Sequence, residues 1–159
     1  MAAIKVHGNL ISTATNRVLS TLYEKELEFE FVLVDTRGGE HKKEPFLSLH
    51  PFGQIPAFED GDLKRFESRA VDKYIAYKYA DKGTQLICQD SKKMAVILVW
   101  METKAQPWDP AASKLAWEAG NKAIAWHGYR HNKLWRKMKL SWLKFLMYVY
   151  EKRLAQSKY

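Results

Sequence analysis

The stretch HPFGQIPAFEDGDLKRFES, residues 50–68, limits the possible folds more than any other part of the chain. Ala57 to Glu59 and Leu63 to Phe66 read as two strands flanking Asp60-Gly61, a two-residue hairpin signal whose central residues both require positive φ. Pro56 has no N–H to give a sheet ladder, so it belongs at a strand start, and local sequence favours a trans bond there. A cis Ile55-Pro56 bond would instead leave the N–H and C=O of residue 55 at the sheet edge, able to bind a small peptide as an added strand. Glu67-Ser68 stands where strand gives way to helix. Ser68 can offer a hydroxyl and helix-terminal N–H groups to a carboxylate and Glu67 can meet an ammonium, or Ser68 is an ordinary cap.

Upstream, Ile4 to His7 reads as a strand, and STATNRVLSTLYEK (12–25) as a helix with Val18, Leu19, Leu22 and Tyr23 at helical spacing. Glu28 to Asp35 alternates and then turns apolar, as a partly buried strand does, and residues 36–50 form a polar loop with one turn of helix. Val71, Tyr74 and Ile75 mark a helix from Ser68. The order βαβ, loop, ββα implies an α/β domain with a mixed sheet. Asp81 to Thr84 reads as a linker. Beyond it, Ser91 to Lys104 places Met94, Ile97, Leu98 and Met101 on one helical face, with Ser91 as N-cap. Pro107 and Pro110 break or bend that helix, which restarts with Asp109 as cap and Pro110 at its first position. The expected organisation is residues 1–82, a linker at 83–90, and a helical domain at 91–159.

Charge excludes some functions and relocates others. The net charge of +8 would point to nucleic acid or anionic membrane, but residues 1–119 hold 16 Lys and Arg against 17 Asp and Glu. The excess lies in residues 120–159, with 10 against 1. Cys88 is the only cysteine, so an intramolecular disulfide, a CxxC pair and a cysteine-rich zinc site are excluded, and no metal-ligand cluster is present. The chain has no apolar run of eighteen residues, and its start lacks a basic segment followed by a long apolar one, so a cytoplasmic protein is expected.

Together, STAT (12–15), GEHKKEPFL (39–47), residues 50–68 followed by RAVDKYIAYKYADKGTQL, SKKMA (91–95) and DPAASKLAWE resemble the glutathione transferases, above all the plant phi class. The resemblance is near-continuous through residue 119. It implies a thioredoxin-like N-terminal domain that binds glutathione, then an all-helical domain completing a pocket for hydrophobic electrophiles. It implies a cytoplasmic homodimer acting in detoxification and stress response, with glutathione as co-substrate and no other cofactor. Nucleic acid and membrane are not expected partners. Ser12 matches the family's catalytic serine, whose hydroxyl would donate to the glutathione sulfur and favour the thiolate; its bland reading is an N-cap. His41 and Lys42 match positions holding the glycine carboxylate, Gln54 and Ile55 those pairing with the cysteinyl backbone, and Glu67 and Ser68 those receiving the γ-glutamyl end. The resemblance reverses the local preference and makes Ile55-Pro56 cis.

At residue 120 the similarity stops, and it returns at YEKRLAQSKY (150–159). Between them Trp135, Met138, Trp142, Phe145 and Val149 share a face flanked by basic residues, as on a membrane or nucleic-acid helix. A second reading comes from the codons. Read from the third base of each, KMKLSWLKFLMY permits Asp-Glu-Ala-Lys-Leu-Ala-Lys-Val-Leu-Asp-Val, which is similar to the phi-class helix there and leads into Tyr150-Glu151. Residues 120–149 are then an out-of-register translation, and their basic charge is an accident. Asn121 falls where the family has an aromatic pocket residue, and the family continues into further helices after Tyr159. An incomplete helical domain would expose apolar surface on residues 91–104 and 140–154. The alternative function it raises is a non-catalytic glutathione- or ligand-binding remnant.

Overall fold

The computed structural model describes residues 4–114, 147–149, 151–152 and 155. The readings made for residues 120–149 and for the end of the chain, including the displaced reading frame and Asn121, lie almost wholly outside the described residues. The chain divides into two compact units, Met1–Gln89 and Asp90–Tyr159.

The first unit is built on a four-stranded sheet: β1 (Ile4–Gly8), β2 (Phe29–Leu33), β3 (Ala57–Asp60) and β4 (Leu63–Arg65), in the order β2-β1-β3-β4. β1 runs parallel to β2 and antiparallel to β3, which pairs antiparallel with β4. Helix α1 (Thr13–Glu24) makes the crossover between the parallel strands, and α2 (Ser68–Lys78) follows β4. The thioredoxin-like βαβ-ββα order therefore stands.

Side-chain period explains the core. Ile4 and Val6 point to one face of β1 and are buried, as is Phe58 of β3. Onto that face α1 presents Val18, Leu19 and Leu22, and α2 presents Val71 and Ile75, each at helical spacing. At about 1.5–3 kcal/mol for each fully buried large apolar side chain, this cluster is the main stabilising element of the unit. A smaller cluster of Val34, Phe46 and Ala57, with Leu49 and Ile55 beside it, packs the long loop at 34–55.

Helix α1 ends in a Schellman arrangement: Glu26 N–H bonds the Tyr23 carbonyl and Leu27 N–H the Leu22 carbonyl, with Glu26 at φ 51°. The chain after α2 is then tied to this end. The buried Lys25 donates from Nζ to the Lys82 carbonyl at 3.0 Å, and Thr84 N–H donates to the Glu24 carbonyl at 2.7 Å.

Several local expectations change. The hairpin register pairs Asp60 with Leu63, so the central turn residues are Gly61 and Asp62 rather than Asp60 and Gly61. Only Gly61 has positive φ, at 62°, as a II′ turn requires. Asp60 is released for the strand, where its buried Oδ2 accepts from Lys78 Nζ (2.7 Å), Tyr79 OH (2.8 Å) and Tyr74 OH (3.0 Å). The polar loop holds two short 3-10 turns, Glu40–Lys42 and Phe46–Ser48, rather than one. Ile55-Pro56 is cis, against the local preference, and so is Glu44-Pro45.

In the second unit, helix α3 spans Ser91–Thr103. Its cap is Asp90, not Ser91, because the carboxylate reaches both the Lys92 and Lys93 N–H groups. Val96, Ile97, Leu98 and Val99 are consecutive and exposed, so the apolar surface expected on this segment is present. Pro107 does not end the helix. A π turn over Lys104–Trp108 absorbs the missing N–H, and residues 109–114 continue helically. Asp109 already has helical φ and ψ and pairs with Lys104 at 2.7 Å, so it is not a cap.

Candidate functional site

The sheet register gathers the seven candidate residues at one end of the first unit. β1 runs toward Gly8, and Ser12 follows four residues later. β3 is antiparallel to β1 and its ladder starts at the His7/Ala57 pair, so Gln54 and Ile55 lie just outside it at the same end. β2 ends there beside Gly8 and leads into the loop carrying His41 and Lys42, and β4 ends there before Glu67 and Ser68.

Ser12 caps α1. Its Oγ accepts from Thr15 N–H at 3.2 Å and its carbonyl from Asn16 N–H at 3.0 Å. The approach is fixed as well: Ser12 N–H donates to the Asn9 carbonyl, Ile11 N–H to Asn9 Oδ1, and Asn16 Nδ2 to the Leu10 carbonyl. A cap uses the hydroxyl's lone pair and leaves its proton for another acceptor, so capping and donation to a ligand are compatible. The positive end of α1 favours an anion at that point.

The loops with His41, Lys42 and Gln54 meet at Gly53, which is buried with φ 56°. A Cβ there would lie 2.6 Å from the His41 carbonyl oxygen and 2.8 Å from Lys42 Cδ, so the two loops touch through a position only glycine fits. Lys42 Nζ donates to the Phe52 carbonyl at 3.1 Å. Nδ1 of His41 is buried and unpartnered among the described residues. Gln54 is exposed and Ile55 half-buried.

At the helix start, Glu67 holds φ 66° and ψ 92°, a left-handed backbone that costs a non-glycine residue about 1–3 kcal/mol. That geometry stands at the N-cap position but makes no side-chain cap bond. Ser68 is therefore not the cap. It is the first residue of α2, 7% exposed, and its Oγ accepts from Arg17 Nη1 at 2.6 Å.

Behind these groups lies His50, 2% exposed, with its ring 4.7 Å from Phe66 and 6.3 Å from Phe52. Burial pushes its imidazole below the ordinary histidine range, opposed by the Glu67 carboxylate and assisted by Lys42. Among the described residues, no group of three His, Cys, Asp or Glu side chains is placed to hold a metal. No described helix is long and apolar enough to cross a membrane.

Residues 2–77 match the family model described as Glutathione S-transferase, N-terminal domain. Over 157 residues the chain is 57% identical to glutathione S-transferase PARB of Nicotiana tabacum, covering 99% of this chain and 73% of that one. The chain belongs to the glutathione S-transferase family. Among solved structures it is similar to glutathione transferase F7 from Populus trichocarpa, with a TM-score of 0.88 and 37% identity over 99% of this chain and 73% of the other. It is also similar to glutathione S-transferase I from mais in complex with an atrazine glutathione conjugate, with a TM-score of 0.82, 31% identity, and coverage of 99% and 72%. Within the family it groups with the plant phi class.

For a glutathione S-transferase of this class, sequence reasoning missed two neighbours of the candidate residues. Arg17 follows Ser12 by five positions on α1, and only the packing of α1 on α2 brings it to Ser68. His50 was read as part of a polar loop. Its packing against Phe52 and Phe66 is tertiary, and of the two only Phe52 lies near it in the sequence.

Proposed function

We propose that the chain conjugates the thiolate of glutathione to hydrophobic electrophiles, in the cytoplasm, as a homodimer serving detoxification. In this reading residues 1–82 bind glutathione, 83–90 link, and 91–159 contribute to the electrophile pocket. His41 and Lys42 hold the glycine carboxylate, Gln54 and Ile55 pair with the cysteinyl backbone, and Glu67 and Ser68 receive the γ-glutamyl amine and carboxylate. Ser12 donates its hydroxyl hydrogen to the sulfur, and the start of α1 adds positive potential, so the thiol ionises more readily. The thiolate attacks the electrophilic carbon, a C–S bond forms, and the leaving group departs with its electron pair or the adduct takes up a proton. Ser12 forms no covalent bond. Thiolate stabilisation and proximity supply the acceleration.

The observation that carries the reading is the Ser12 cap, whose lone pair is taken by Thr15 N–H while its proton stays available. The metal-free chemistry requires glutathione as co-substrate and no other cofactor. No observation favours a non-catalytic remnant. Retention on immobilised glutathione, together with conjugation of a chromogenic electrophile that drops in Ser12→Ala, is the expected result. Equal rates in the two proteins remove Ser12 from the mechanism.

A further inference from the structure

We propose that Arg17 is a positioning residue for the γ-glutamyl carboxylate of glutathione, acting through the hydroxyl of Ser68; this rests on the glutathione reading above. Arg17 Nη1 lies 2.6 Å from Ser68 Oγ. A guanidinium has donors only, so Ser68 must be the acceptor in this bond and its own O–H is turned away from Arg17. Among the described residues no acceptor takes that proton, although Ser68 is 7% exposed. A buried hydroxyl proton without a partner at the start of a helix is directed to an acceptor from outside, and a carboxylate is the acceptor the site is charged to receive.

The arginine contributes in two ways. It fixes the polarity of the hydroxyl, and it polarises it, because a hydroxyl accepting from a cation is a stronger donor. A lone Ser68 would be free to rotate and point its proton elsewhere. The arrangement also makes α1 serve both ends of the tripeptide: the cap at Ser12 faces the sulfur, and Arg17, about 7.5 Å further along the axis, sets the γ-glutamyl end.

The competing role for Arg17 is a strut between α1 and α2 with no stake in the ligand. Calorimetric titration separates the two, using glutathione and γ-aminobutyryl-cysteinyl-glycine, which lacks only the γ-glutamyl α-carboxylate. Arg17→Met is expected to weaken glutathione by about tenfold or more while changing the analogue by less than about twofold. In a Ser68→Ala background the same substitution is expected to add little, because the relay is already gone. Equal weakening of both ligands, or full additivity with Ser68→Ala, overturns the role of Arg17 alone. A wild-type chain that binds neither ligand overturns the glutathione reading and this proposal with it. Should Arg17→Met not fold by circular dichroism, Arg17→Lys carries the same comparison, since one ammonium cannot reproduce the planar guanidinium geometry.

Discussion

Gly53→Ala tests whether the contact between the two ligand loops is as tight as the structure makes it. Two costs follow from the geometry. Alanine at φ 56° pays the left-handed penalty of about 1–2 kcal/mol. Its Cβ also meets the His41 carbonyl oxygen at 2.6 Å, Lys42 Cδ at 2.8 Å and Leu47 Cδ2 at 3.2 Å. The lysine carbon can swing aside, but the His41 carbonyl is backbone, so the 41–42 segment has to move, at roughly another 1–3 kcal/mol for overpacking. Gly39→Ala is the control. Gly39 also has positive φ, at 76°, but a Cβ there meets nothing within 4 Å, so only the conformational cost of about 1–2 kcal/mol applies. Urea unfolding followed by far-ultraviolet circular dichroism measures both, since all six tryptophans lie at residue 100 or beyond and report on the second unit. Gly53→Ala should be the less stable by at least about 1 kcal/mol and should lose more glutathione affinity. Equal stability and equal affinity in the two variants would refute the argument.

Gly8→Ala places a Cβ 2.6 Å from both Cγ2 and Oγ1 of the fully buried Thr15, so it should destabilise by about 1–3 kcal/mol and weaken glutathione binding by shifting the first turn of α1; unchanged binding isotherms would contradict this. Asp60 is disfavoured as an anion by burial, but bonds from Lys78, Tyr79 and Tyr74 and the charge of Lys78 outweigh that and hold it below the ordinary 3.8. Its contribution is therefore present above pH 3.8 and lost as pH falls through the lowered folded value. Asp60→Asn should cost about 1–3 kcal/mol at neutral pH and flatten the acid limb of the stability curve. His50 acts in a different window. Its folded value lies below 6.5, so the unfolded chain binds the extra proton first and stability declines as pH drops below 6.5 until the folded value is passed. His50→Leu should remove that decline, and a curve as steep as wild type between neutrality and the Asp60 limb would rule the histidine out.

Much of the first unit was legible because its signals are local. The alternation of Ile4 and Val6 and the spacing of Val18, Leu19, Leu22, Val71 and Ile75 each fixed a buried face without reference to the rest of the fold. The turn was misplaced by one residue because Asp60 is wanted elsewhere: Tyr74 and Lys78 of α2 and Tyr79 just after it hold it in the strand, and no local rule sees them. Ser91 lost the cap to Asp90 because the carboxylate one residue earlier reaches two N–H groups. The seven candidate residues were named only through the family resemblance, since a cap and a polar loop are the ordinary readings of Ser12, His41 and Lys42. Arg17 and His50 were hidden for a related reason. Their significance lies in partners separated by 51 and 16 positions, Ser68 and Phe66, and only tertiary packing brings those together.

The central claim is that Ser12, the cap of α1, accepts from Thr15 N–H and lends its free proton to the glutathione sulfur. The ultraviolet absorbance of the thiolate, titrated against pH with glutathione bound, tests it most directly. In the wild-type chain the midpoint should fall clearly below the free thiol value of about 8.5. In Ser12→Ala, with binding retained, it should rise by about one pH unit or more, the equivalent of one charge-assisted hydrogen bond. Coincident midpoints in two proteins that both bind glutathione would contradict the account.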